Sequence, residues 1–380
     1  FEARQTLEQH TQDIEQVSAQ LAQTVQQIED IAINVKAFGA IGDGVTDDTE
    51  AIQSAIDFVE QNGGGTILIP NGTYMIKSDK YGEGIVKWGL KSGSNMRFVL
   101  DEGAVLKAIP NDSTAYAILL IKDSHDVSFY GGTLKGEKRE HFGGTSGEWG
   151  HGISIINSSR IIVERTDISD CWGDGIYIKN DFGYESIKVR DVNITNCRRH
   201  ELTVIRGKDI TIDSCKLFKY DTAVDGIENV TYGGLNIDME NNVDSQSGII
   251  EDVLIQNCQF YCKTNASVMK HRATLDKNIN IINNKFYYGE LKISNCIRTT
   301  IGNNEFRSLR DALAYAAITL EPVEDSFVQN NVIHDGGWGI RTIRCSDFKI
   351  SNNNVWKSNY TGVYILSGVD GIVQGNTVRD

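Results

Sequence analysis

The sequence predicts an all-β solenoid, a parallel β-helix, and three observations lead to this fold class. From about residue 127 to the last residue a short phrase recurs, in which polar residues and an Asn or small residue separate an opening from a closing apolar residue. The closing residues are roughly 20 to 27 positions apart, with two longer steps, and a period in this range is typical of stacked repeats. Each unit carries short alternating strands rather than helical spacing. The clearest copies are Val253–Phe260, Ile279–Phe286, Thr299–Phe306, Lys349–Trp356 and Gly371–Val378, and the earlier ones are Ile161–Ile168, Ile187–Ile194 and Ile210–Leu217.

The composition narrows the class of protein. The chain has 380 residues, 40% of them hydrophobic, with 37 Gly and 3 Pro, which suits a long thin core with tight turns. A net charge of −14 argues against a nucleic-acid-binding surface, which would be basic. We find no apolar run long enough for a membrane span and no secretory signal at the N-terminus, so export would use lysis, another non-secretory route or a signal already removed.

The seven cysteines show no CxxC motif and no Cys–His spacing typical of zinc. Cys171 and Cys197 occupy the same place in successive repeats, and so do Cys215 and Cys258. Disulfides and stacked reduced thiols both fit this pattern. We favour buried reduced thiols, because Cys behaves as a small apolar residue in protein cores.

Residues 1–32 predict an α-helical coiled coil. One heptad position holds Leu7, Ile14, Leu21 and Ile28, and the companion position holds His10, Val17, Thr24 and Ile31. This is the a/d pattern over about four heptads. A single amphipathic helix on the body is the alternative. We favour a homotrimeric stem, since three β-helices packed side by side would each bury one flank.

Residues 33–76 predict a different unit. A short strand at 33–35 and a Gly- and Asp-rich loop precede a helix whose apolar face carries Ile52, Ile56 and Val59. Thr46, Asp47 or Asp48 can cap this helix. Gly63–Gly65 ends it, and a hairpin or the first coil follows. A calcium site in the Asp-rich loop is a weaker alternative to capping.

The segment Asn34–Ile76, NVKAFGAIGDGVTDDTEAIQSAI followed by GGGTILIPNGTYMI, resembles the opening of the pectate-lyase-3-like superfamily. The resemblance implies a right-handed parallel β-helix, often trimeric. It also implies one of three activities found there: polysaccharide lyase, glycoside hydrolase, or phage tail spike that degrades host surface polymers. A coiled-coil stem directly before the segment resembles the spike or preneck-appendage proteins of tailed phages, particularly short-tailed phages of Gram-positive hosts.

A column of polar residues just before each closing apolar residue is predicted to be structural. Asn tolerates left-handed turns, and its amide can bond to the coils above and below. The column comprises Asn257, Cys258, Asn283, Asn284, Asn303, Asn304, Asn330, Asn331, Asn353, Asn354 and Asn376.

Two long excursions, Lys135–Gly150 and Lys219–Gly248, predict a binding face between them. Aligning the strands that follow each turn predicts a shared inward position for Ile153, Ile176, Leu202, Leu235, Leu291, Ile340 and Val363. The position just before this inward position is mostly Gly, with Glu201 as an exception, and this predicts a channel for a polymer. Two positions before the inward position stand His151, Asp174 and His200, which should stack about 5 Å apart and form an acid/base set.

Further candidates lie nearby. Arg198 and Arg199 are one turn away, and Asp238 and Glu240 close the following strand, with Asp238 aligned to outward Lys179. The segments CWGDGIYI, NCRRHELTVI and GGLNIDMENN resemble the central motifs of phage and bacterial members of the superfamily, and this resemblance implies a cleft at Asp174, Arg199, Asp238 and Glu240. His200-Glu201 and Asn241-Asn242 depart from those motifs. A network that only neutralises a crowded sheet edge is the structural alternative.

Three reactions compete for this site. Glycoside hydrolysis would use Asp174 with Asp238 or Glu240. A lyase would use His200 or Arg199 on a uronate, and teichoic-acid cleavage would place Arg198 and Arg199 on phosphate. A spike that only grips glycan is the non-enzymatic alternative. Candidate sugar-stacking aromatics, with rim packing as the alternative role, are Trp149, Trp172, Tyr177, Trp338 and Tyr364.

The sequence therefore predicts a coiled-coil stem at 1–32, a cap and first coils at 33–126, and a β-helix body with a glycan cleft at 127–380. We expect a homotrimer in a virion tail that acts at the host surface. It would hydrolyse capsular polysaccharide or wall teichoic acid and contact other tail proteins through its stem. We expect no nucleic-acid partner and no cofactor. A divalent cation such as calcium is the weaker alternative. A cap or further domain is expected beyond residue 380, since an open β-helix end exposes unpaired strands.

Overall fold

The structure is a computed structural model. It describes residues 32–379 apart from 84–85, 145–146, 148, 182–185, 221–222, 225–226, 229–234, 241–248, 263–267, 272–275 and 308–315, together with residues 10, 13, 14, 16–18 and 20.

The chain winds into stacked coils, each contributing up to three short strands that pair in parallel with the coils before and after. The first strands are Ile33–Asn34, Gly65–Ile69, Met96–Leu100, His125–Tyr130, Ser159–Glu164, Ile187–Arg190, the end of Leu202–Asp213, Ile250–Gln256, Asp276–Ile282, Cys296–Gly302, Val323–Gln329, Ser346–Ser351 and Ile372–Gln374. The second strands are Asp43–Asp47, Gly72–Ile76, Ala104–Ala108, Thr133–Lys135, Asp167–Ser169, Asn193–Thr195, Lys216–Lys219, Gln259–Cys262, Lys285–Tyr287, Glu305–Arg307, the starts of Val332–Ile343 and Asn354–Leu366, and Thr377–Arg379. The third strands are Val86–Ser92, Ala115–Lys122, Trp149–Ile156, Ile176–Lys179, the start of Leu202–Asp213, Ile237–Glu240, Val268–His271, Leu291–Ile293, Ala316–Leu320 and the ends of Val332–Ile343 and Asn354–Leu366.

Two antiparallel pairings complete the described strands. Tyr81–Glu83 pairs with Val86–Ser92, and Ala223–Val224 pairs with Ile227–Glu228. The fold is thus the predicted parallel β-helix, and its coils continue without a break across residues 126–127, where Val127 pairs with both Met96 and Ile161.

The core is a set of apolar columns along the axis. Alternate strand residues point inward, so residues in register on successive coils stack at the strand spacing of about 4.8 Å. In the second strands Phe260, Phe286 and Phe306 are fully buried, with ring centroids 4.8 and 4.5 Å apart. This repeated burial explains why one apolar phrase per coil suffices to define the fold.

A helix covers the first coils. The 3₁₀ helix Val35–Phe38 and the α-helix Thr49–Gln61 precede the strand Gly65–Ile69. The N-cap residue is Asp48, whose side chain makes no capping hydrogen bond, while Asp47 Oδ1 accepts the backbone N–H of Thr49, the first helical residue, at 3.0 Å. Asp48 instead accepts the N–H groups of Ile41 and Gly42, at 2.6 and 3.1 Å. These loop carboxylates are therefore occupied by backbone donors.

The polar column before the closing residues is structural. Asn331 is fully buried, and its Oδ1 accepts both the backbone N–H and the Nδ2–H of Asn304 at 3.0 Å. Its own Nδ2 donates to Ile301 O and to Asn353 Oδ1, both at 2.9 Å. The same pattern links Asn284 to Asn304, so a continuous amide ladder holds successive turns together, as predicted.

All seven cysteines are buried free thiols, in agreement with the favoured alternative. Cys215 N–H donates to Cys258 Sγ at 3.4 Å, which shows the stacked arrangement. Within the part of the chain that is described, no helix combines the length and apolarity needed to cross a membrane.

The predicted coiled coil falls almost wholly outside the described residues. Leu7, Leu21, Thr24, Ile28 and Ile31 lie outside them. The described residues between 10 and 20 are helical, and in the single chain Ile14 and Val17 are 66% and 63% exposed. The coiled coil and the trimer remain predictions.

Candidate functional site

Three of the predicted reactive residues stack on successive coils through backbone-to-side-chain hydrogen bonds. The N–H of Asp174 donates to His151 Nδ1 at 3.0 Å, and the N–H of His200 donates to Asp174 Oδ1 at 3.1 Å. The next coil repeats the pattern, because Leu235 N–H donates to His200 Nδ1 at 2.9 Å. The structure therefore places His151, Asp174 and His200 in line, as the repeat alignment predicts.

Two charged groups extend this line. Arg199 NH1 lies 3.6 Å from Asp174 Oδ2, and Asp238 Oδ2 lies 3.4 Å from His200 Nε2. We refer to His151, Asp174, Arg199, His200 and Asp238 as the polar row. None of its members is more than 9% exposed, so it lies beneath the surface rather than in the open trench that the sequence predicts.

Asp174 is the ionised centre of the polar row. Burial alone would raise the pKa of its carboxyl, but Arg199, followed by His151 and His200, holds that pKa below its usual range. Oδ2 of Asp174 accepts no hydrogen bond from any described residue, although Arg199 and His151 both approach it at 3.6 Å. The row thus contains a carboxylate oxygen that can accept a further donor.

The two imidazoles are held in one tautomer. Because Nδ1 of His151 and of His200 accepts a backbone N–H, each neutral ring carries its proton on Nε2. Burial lowers the pKa of His151 to about 4, against the opposing effect of Asp174, so this ring is neutral at pH 7. Burial also lowers the pKa of His200, although Asp238 and Asp174 oppose it. His200 Nε2–H therefore faces the Asp238 carboxylate as a donor.

A pocket of about 130 Å³ opens beside His151. The imidazole of His151 stacks on the Tyr177 ring, with centroids 4.6 Å apart and planes at 12°. The residues that give the pocket its character are Tyr116, Trp149, His151, Ser154, Tyr177 and Lys179. Trp149 and Tyr177, both predicted sugar-stacking residues, thus line the pocket beside the first member of the polar row.

The register of Asp238 differs from the prediction. Leu202 pairs with Ile237, not with Leu235. Asp238 is therefore in register with Thr203 on the preceding coil, and it does not lie in the column of Lys179. The strand Ile237–Glu240 ends at Glu240, as expected. The alignment was wrong by two residues, and this shift brings Asp238 next to His200 instead of onto the outer column of Lys179.

The predicted polymer channel along the glycine positions is also wrong. A Cβ on Gly175 would lie 2.3 Å from Ile194 Cγ2 and 2.7 Å from Glu201 O, and one on Gly152 would lie 2.7 Å from Gly175 O. The missing side chains therefore point into the core. Glycine is needed there for close packing between strands.

Glu201 occupies this inward position, so it cannot contact a polymer as predicted. Its carboxylate lies 3.4 Å from Lys219 Nζ, and both side chains are fully buried. Asn236 Nδ2 also donates to Glu201 Oε2 at 3.4 Å. Burial raises the pKa of Glu201 to about 7, in spite of the Lys219 ammonium.

Trp172 and Arg198 are structural rather than substrate-binding. Trp172 is 1% and Arg198 0% exposed, and the guanidinium lies 3.9 Å from the indole centroid. Arg198 Nε donates to Trp172 O at 2.7 Å, and its NH2 donates to Gly147 O. His141 stacks on the same indole at 3.7 Å. These contacts anchor the first excursion and leave no surface for a sugar or a phosphate.

The other aromatic candidates lie elsewhere. Trp338 and Tyr364 contact each other, with centroids 4.6 Å apart, on coils far along the axis from His151. Two pocket residues, Tyr116 and Ser154, were not predicted. The signal for Ser154 is its register with Tyr177 on the next coil, which the repeat alignment contains.

No group of three or more His, Cys, Asp or Glu side chains suited to a metal ion occurs among the described residues. The polar row instead joins imidazole, carboxylate and guanidinium groups. This set can hold and move protons and can bind anions.

Comparison with known sequences identifies the fold family. The family model described as "Right handed beta helix region" matches residues 117–290 and 272–380. "Rhamnogalacturonase A/epimerase, pectate lyase-like" matches residues 32–85.

Among individual proteins, YclG of Bacillus subtilis, an uncharacterized protein, is 25% identical over 92% of this chain. Plasmin and fibronectin-binding protein A of Streptococcus pneumoniae is 26% identical over 74% of the chain. The chain spans 62% and 40% of the lengths of these two curated relatives.

Solved structures share the fold at low identity. The A-module of the mannuronan C-5 epimerase AlgE6 from Azotobacter vinelandii superposes on 91% of this chain with a TM-score of 0.61 and 16% identity, and the match includes 98% of the module. The tailspike gp49 of Acinetobacter baumannii bacteriophage Fri1, a capsular polysaccharide depolymerase, covers 91% and is covered to 58%, with a TM-score of 0.60 and 15% identity. The adhesin PfbA of S. pneumoniae covers 92% and is covered to 92%, with a TM-score of 0.58 and 18% identity.

Proposed function

Because this chain belongs to the right-handed β-helix family and its residues 32–85 match a pectate lyase-like model, we propose that it binds and hydrolyses a bacterial cell-surface polymer as part of a phage tail spike. The polymer would be a capsular polysaccharide or a wall teichoic acid. The spike would be a homotrimer on an N-terminal stem that contacts other tail proteins, and it would act outside the host cell. A capsule depolymerase and a surface adhesin among the structures that share the fold support this setting.

The observation that carries the proposal is the polar row beside the aromatic-walled pocket. Two imidazoles, two carboxylates and a guanidinium converge on four successive coils, next to a cavity that Trp149 and Tyr177 border. Aromatic walls with a few convergent polar groups are typical of a sugar-binding site. Titratable groups whose pKa values burial and neighbours displace in opposite directions are typical of catalytic sites.

In this proposal the members of the row have separate roles. His151 Nε2–H would donate a hydrogen bond to the leaving-group oxygen, which would take its proton from solvent, while Asp174 would stabilise positive charge that develops on the sugar. His200 holds Asp238 as a carboxylate suited to activating water. Asp174 and Asp238 lie two coils apart, a spacing of at least about 10 Å, and Asp238 is also displaced along its strand, so the two are too far apart for a retaining carboxylate pair.

A lyase reaction on a uronate is the second candidate. It is favoured by the ionisation of Asp174 against Arg199, because hydrolysis by two carboxyl groups needs one of them protonated. In the lyase, Arg199 would neutralise the uronate carboxylate and a base in the row would remove the proton.

A non-catalytic, glycan-gripping spike is the third candidate. The burial of the whole polar row favours it, since no member exceeds 9% exposure.

One experiment separates these candidates. Capsular polysaccharide, teichoic acid and polygalacturonate are incubated with the protein, and reducing ends, released phosphate and unsaturated-uronate absorbance are measured. Hydrolysis predicts reducing ends without the absorbance, and a lyase predicts both. The Asp174→Asn variant should lose turnover, while the exposed control Asp325→Asn should keep it. Saturable binding without any product would contradict an enzymatic function.

A further inference from the structure

An exposed aromatic surface lies on the coils that follow the polar row. Phe218, Tyr261 and Tyr287 occupy one outward column of the second strands, in register on three successive coils. Tyr220 and Tyr288 lie just past the ends of two of these strands and are 48% and 39% exposed. We call these five residues the tyrosine face.

Four of the five rings of the tyrosine face, all but that of Tyr287, form one connected cluster. Tyr261 lies at its centre, with centroid distances of 6.3 Å to Phe218, 4.9 Å to Tyr220 and 5.3 Å to Tyr288. The interplanar angles are 70°, 42° and 61°, so ring faces as well as ring edges are presented. The surface therefore crosses three coils along the axis of the β-helix.

The core does not require these aromatics. The inward residues of the same strands, Leu217, Phe260 and Phe286, are fully buried and complete the packing of each coil. A role for the outward rings must therefore be sought at the surface. Tyrosine supplies a large rigid contact area with a polar hydroxyl, the combination typical of binding surfaces.

Tyr288 occupies a backbone position that is unfavourable for its side chain. Its φ is +64°. The equivalent positions of two earlier coils hold Asp170 and Asn196, with φ of 53° and 55°, while the two coils in between hold buried Lys219 and Cys262. Asp and Asn tolerate this left-handed conformation, whereas a bulky residue there is strained. An aromatic ring is thus present where fold stability favours Asn.

The charge around the face selects an acidic ligand. Lys216, Gln259 and Lys285 form the outward column beside the rings, and both lysines are exposed. The next residue of the column, Glu305, is paired with Arg307. This local positive charge stands on a chain whose net charge is −14. Carboxylate or phosphate groups on a polymer would meet the lysines while its sugar rings contact the tyrosines.

The tyrosine face adjoins the candidate site. Asn236 Nδ2 donates to Tyr261 O at 3.1 Å, and Asn236 lies two residues before Asp238 of the polar row. We propose that the tyrosine face binds an acidic polysaccharide chain and holds it across the coils next to the polar row. The identity of the ligand as a polysaccharide rests on the proposed function, but binding at this face does not require that the polymer is cleaved.

The test separates binding from fold stability. Tyr220→Ser with Tyr288→Asn removes the two most exposed rings and gives position 288 a residue suited to its φ. We expect dissociation constants for polygalacturonate, alginate and poly(glycerol phosphate) teichoic acid, measured by titration calorimetry, to show about tenfold weaker binding to at least one polymer. The melting temperature should stay the same or rise. Tyr360→Ser, which removes a ring of matching 48% exposure elsewhere, should leave binding unchanged.

Charge is tested separately. Lys216→Ala with Lys285→Ala should weaken the same interaction and reduce its dependence on salt. Binding of the neutral polymer dextran should be the same for this variant and for the wild-type protein. Unchanged affinity in both double variants, or no binding to any of the three acidic polymers, overturns the proposal. A change in particle mass by light scattering in the tyrosine variant would assign the face to a second copy of the chain and also overturns it. If the wild-type protein binds a polymer through the tyrosine face but releases no product from it, only the proposed function is contradicted.

Discussion

His200 Nε2 lies 3.4 Å from Asp238 Oδ2, while Nδ1 of the same ring accepts the N–H of Leu235 at 2.9 Å. The backbone contact fixes the tautomer, so the proton on Nε2 faces the carboxylate. Two residues that are 38 positions apart in sequence are thereby held as one unit by the stacking of adjacent coils. The proposed chemistry depends on such backbone-fixed contacts along the whole polar row.

Asp174→Asn should abolish turnover at a moderate cost in stability. The side chain is fully buried, and an amide keeps the acceptor for the His200 N–H but removes the charge that faces Arg199. We expect a loss of about 1–3 kcal/mol in the free energy of unfolding, measured by urea denaturation. Asp325→Asn is the matched exposed control. Full activity in Asp174→Asn would remove Asp174 from the mechanism.

His151→Asn should reduce the loss of protein stability that occurs as the pH becomes acidic. The pKa of His151 is lowered from 6.5 to about 4, so the unfolded chain binds the proton more tightly and stability falls as pH drops through this window. The shift corresponds to a destabilisation of about 3 kcal/mol. This destabilisation is absent above the pKa of the unfolded state and is complete below the pKa of the folded state. Asn retains an acceptor for the Asp174 N–H but does not titrate. Melting temperatures between about pH 7 and 4 check this, and an unchanged slope would contradict it.

Lys219→Met should destabilise the protein most strongly at alkaline pH. Removal of the ammonium leaves the buried Glu201 carboxylate without its ion pair, at a cost of about 3–5 kcal/mol. The pKa of Glu201 is already raised to about 7, so this carboxyl destabilises the fold as pH rises from the unfolded pKa through that value. Unfolding at about pH 8 and 5 should show the larger loss at pH 8. The double variant Glu201→Gln with Lys219→Met should recover part of it, and equal losses at both pH values would contradict the account.

Asn331→Ala should break the amide ladder. It removes the acceptor used by the Asn304 N–H and Nδ2–H and the donor used by Ile301 O, all in a fully buried place. We expect a loss of about 3 kcal/mol in unfolding free energy. Asn354→Ala, at an exposed strand position, is the control and should change it little. Similar values for the two variants would show that the ladder does not stabilise the stack.

The repeat period was sufficient to predict the fold and much of the polar row. Residues in the same place of successive repeats become neighbours in a stack, so His151, Asp174 and His200 could be aligned from sequence alone. The register beyond the second excursion could not. Leu235 and Ile237 are both apolar and two residues apart, so strand alternation fits either one, and only the observed pairing of Ile237 with Leu202 decides between them.

Burial was the other property that the sequence did not reveal. Trp172 and Arg198 belong to residue types common in glycan sites, yet they pack against each other under the first excursion. Glu201 stands at an otherwise mostly Gly position, and its inward direction became evident only from the contacts a Cβ would make at Gly175. Residue type indicates which chemistry is possible, whereas the side of the strand decides whether a substrate can reach it.

The most direct test of the central claim is a crystal structure of Asp174→Asn with an oligosaccharide released from the polymer by the wild-type protein. The account predicts a sugar ring between Trp149 and Tyr177, with one oxygen about 3 Å from His151 Nε2. A sugar bound with no contact to the polar row or its pocket would contradict the claim that this row is the reactive centre.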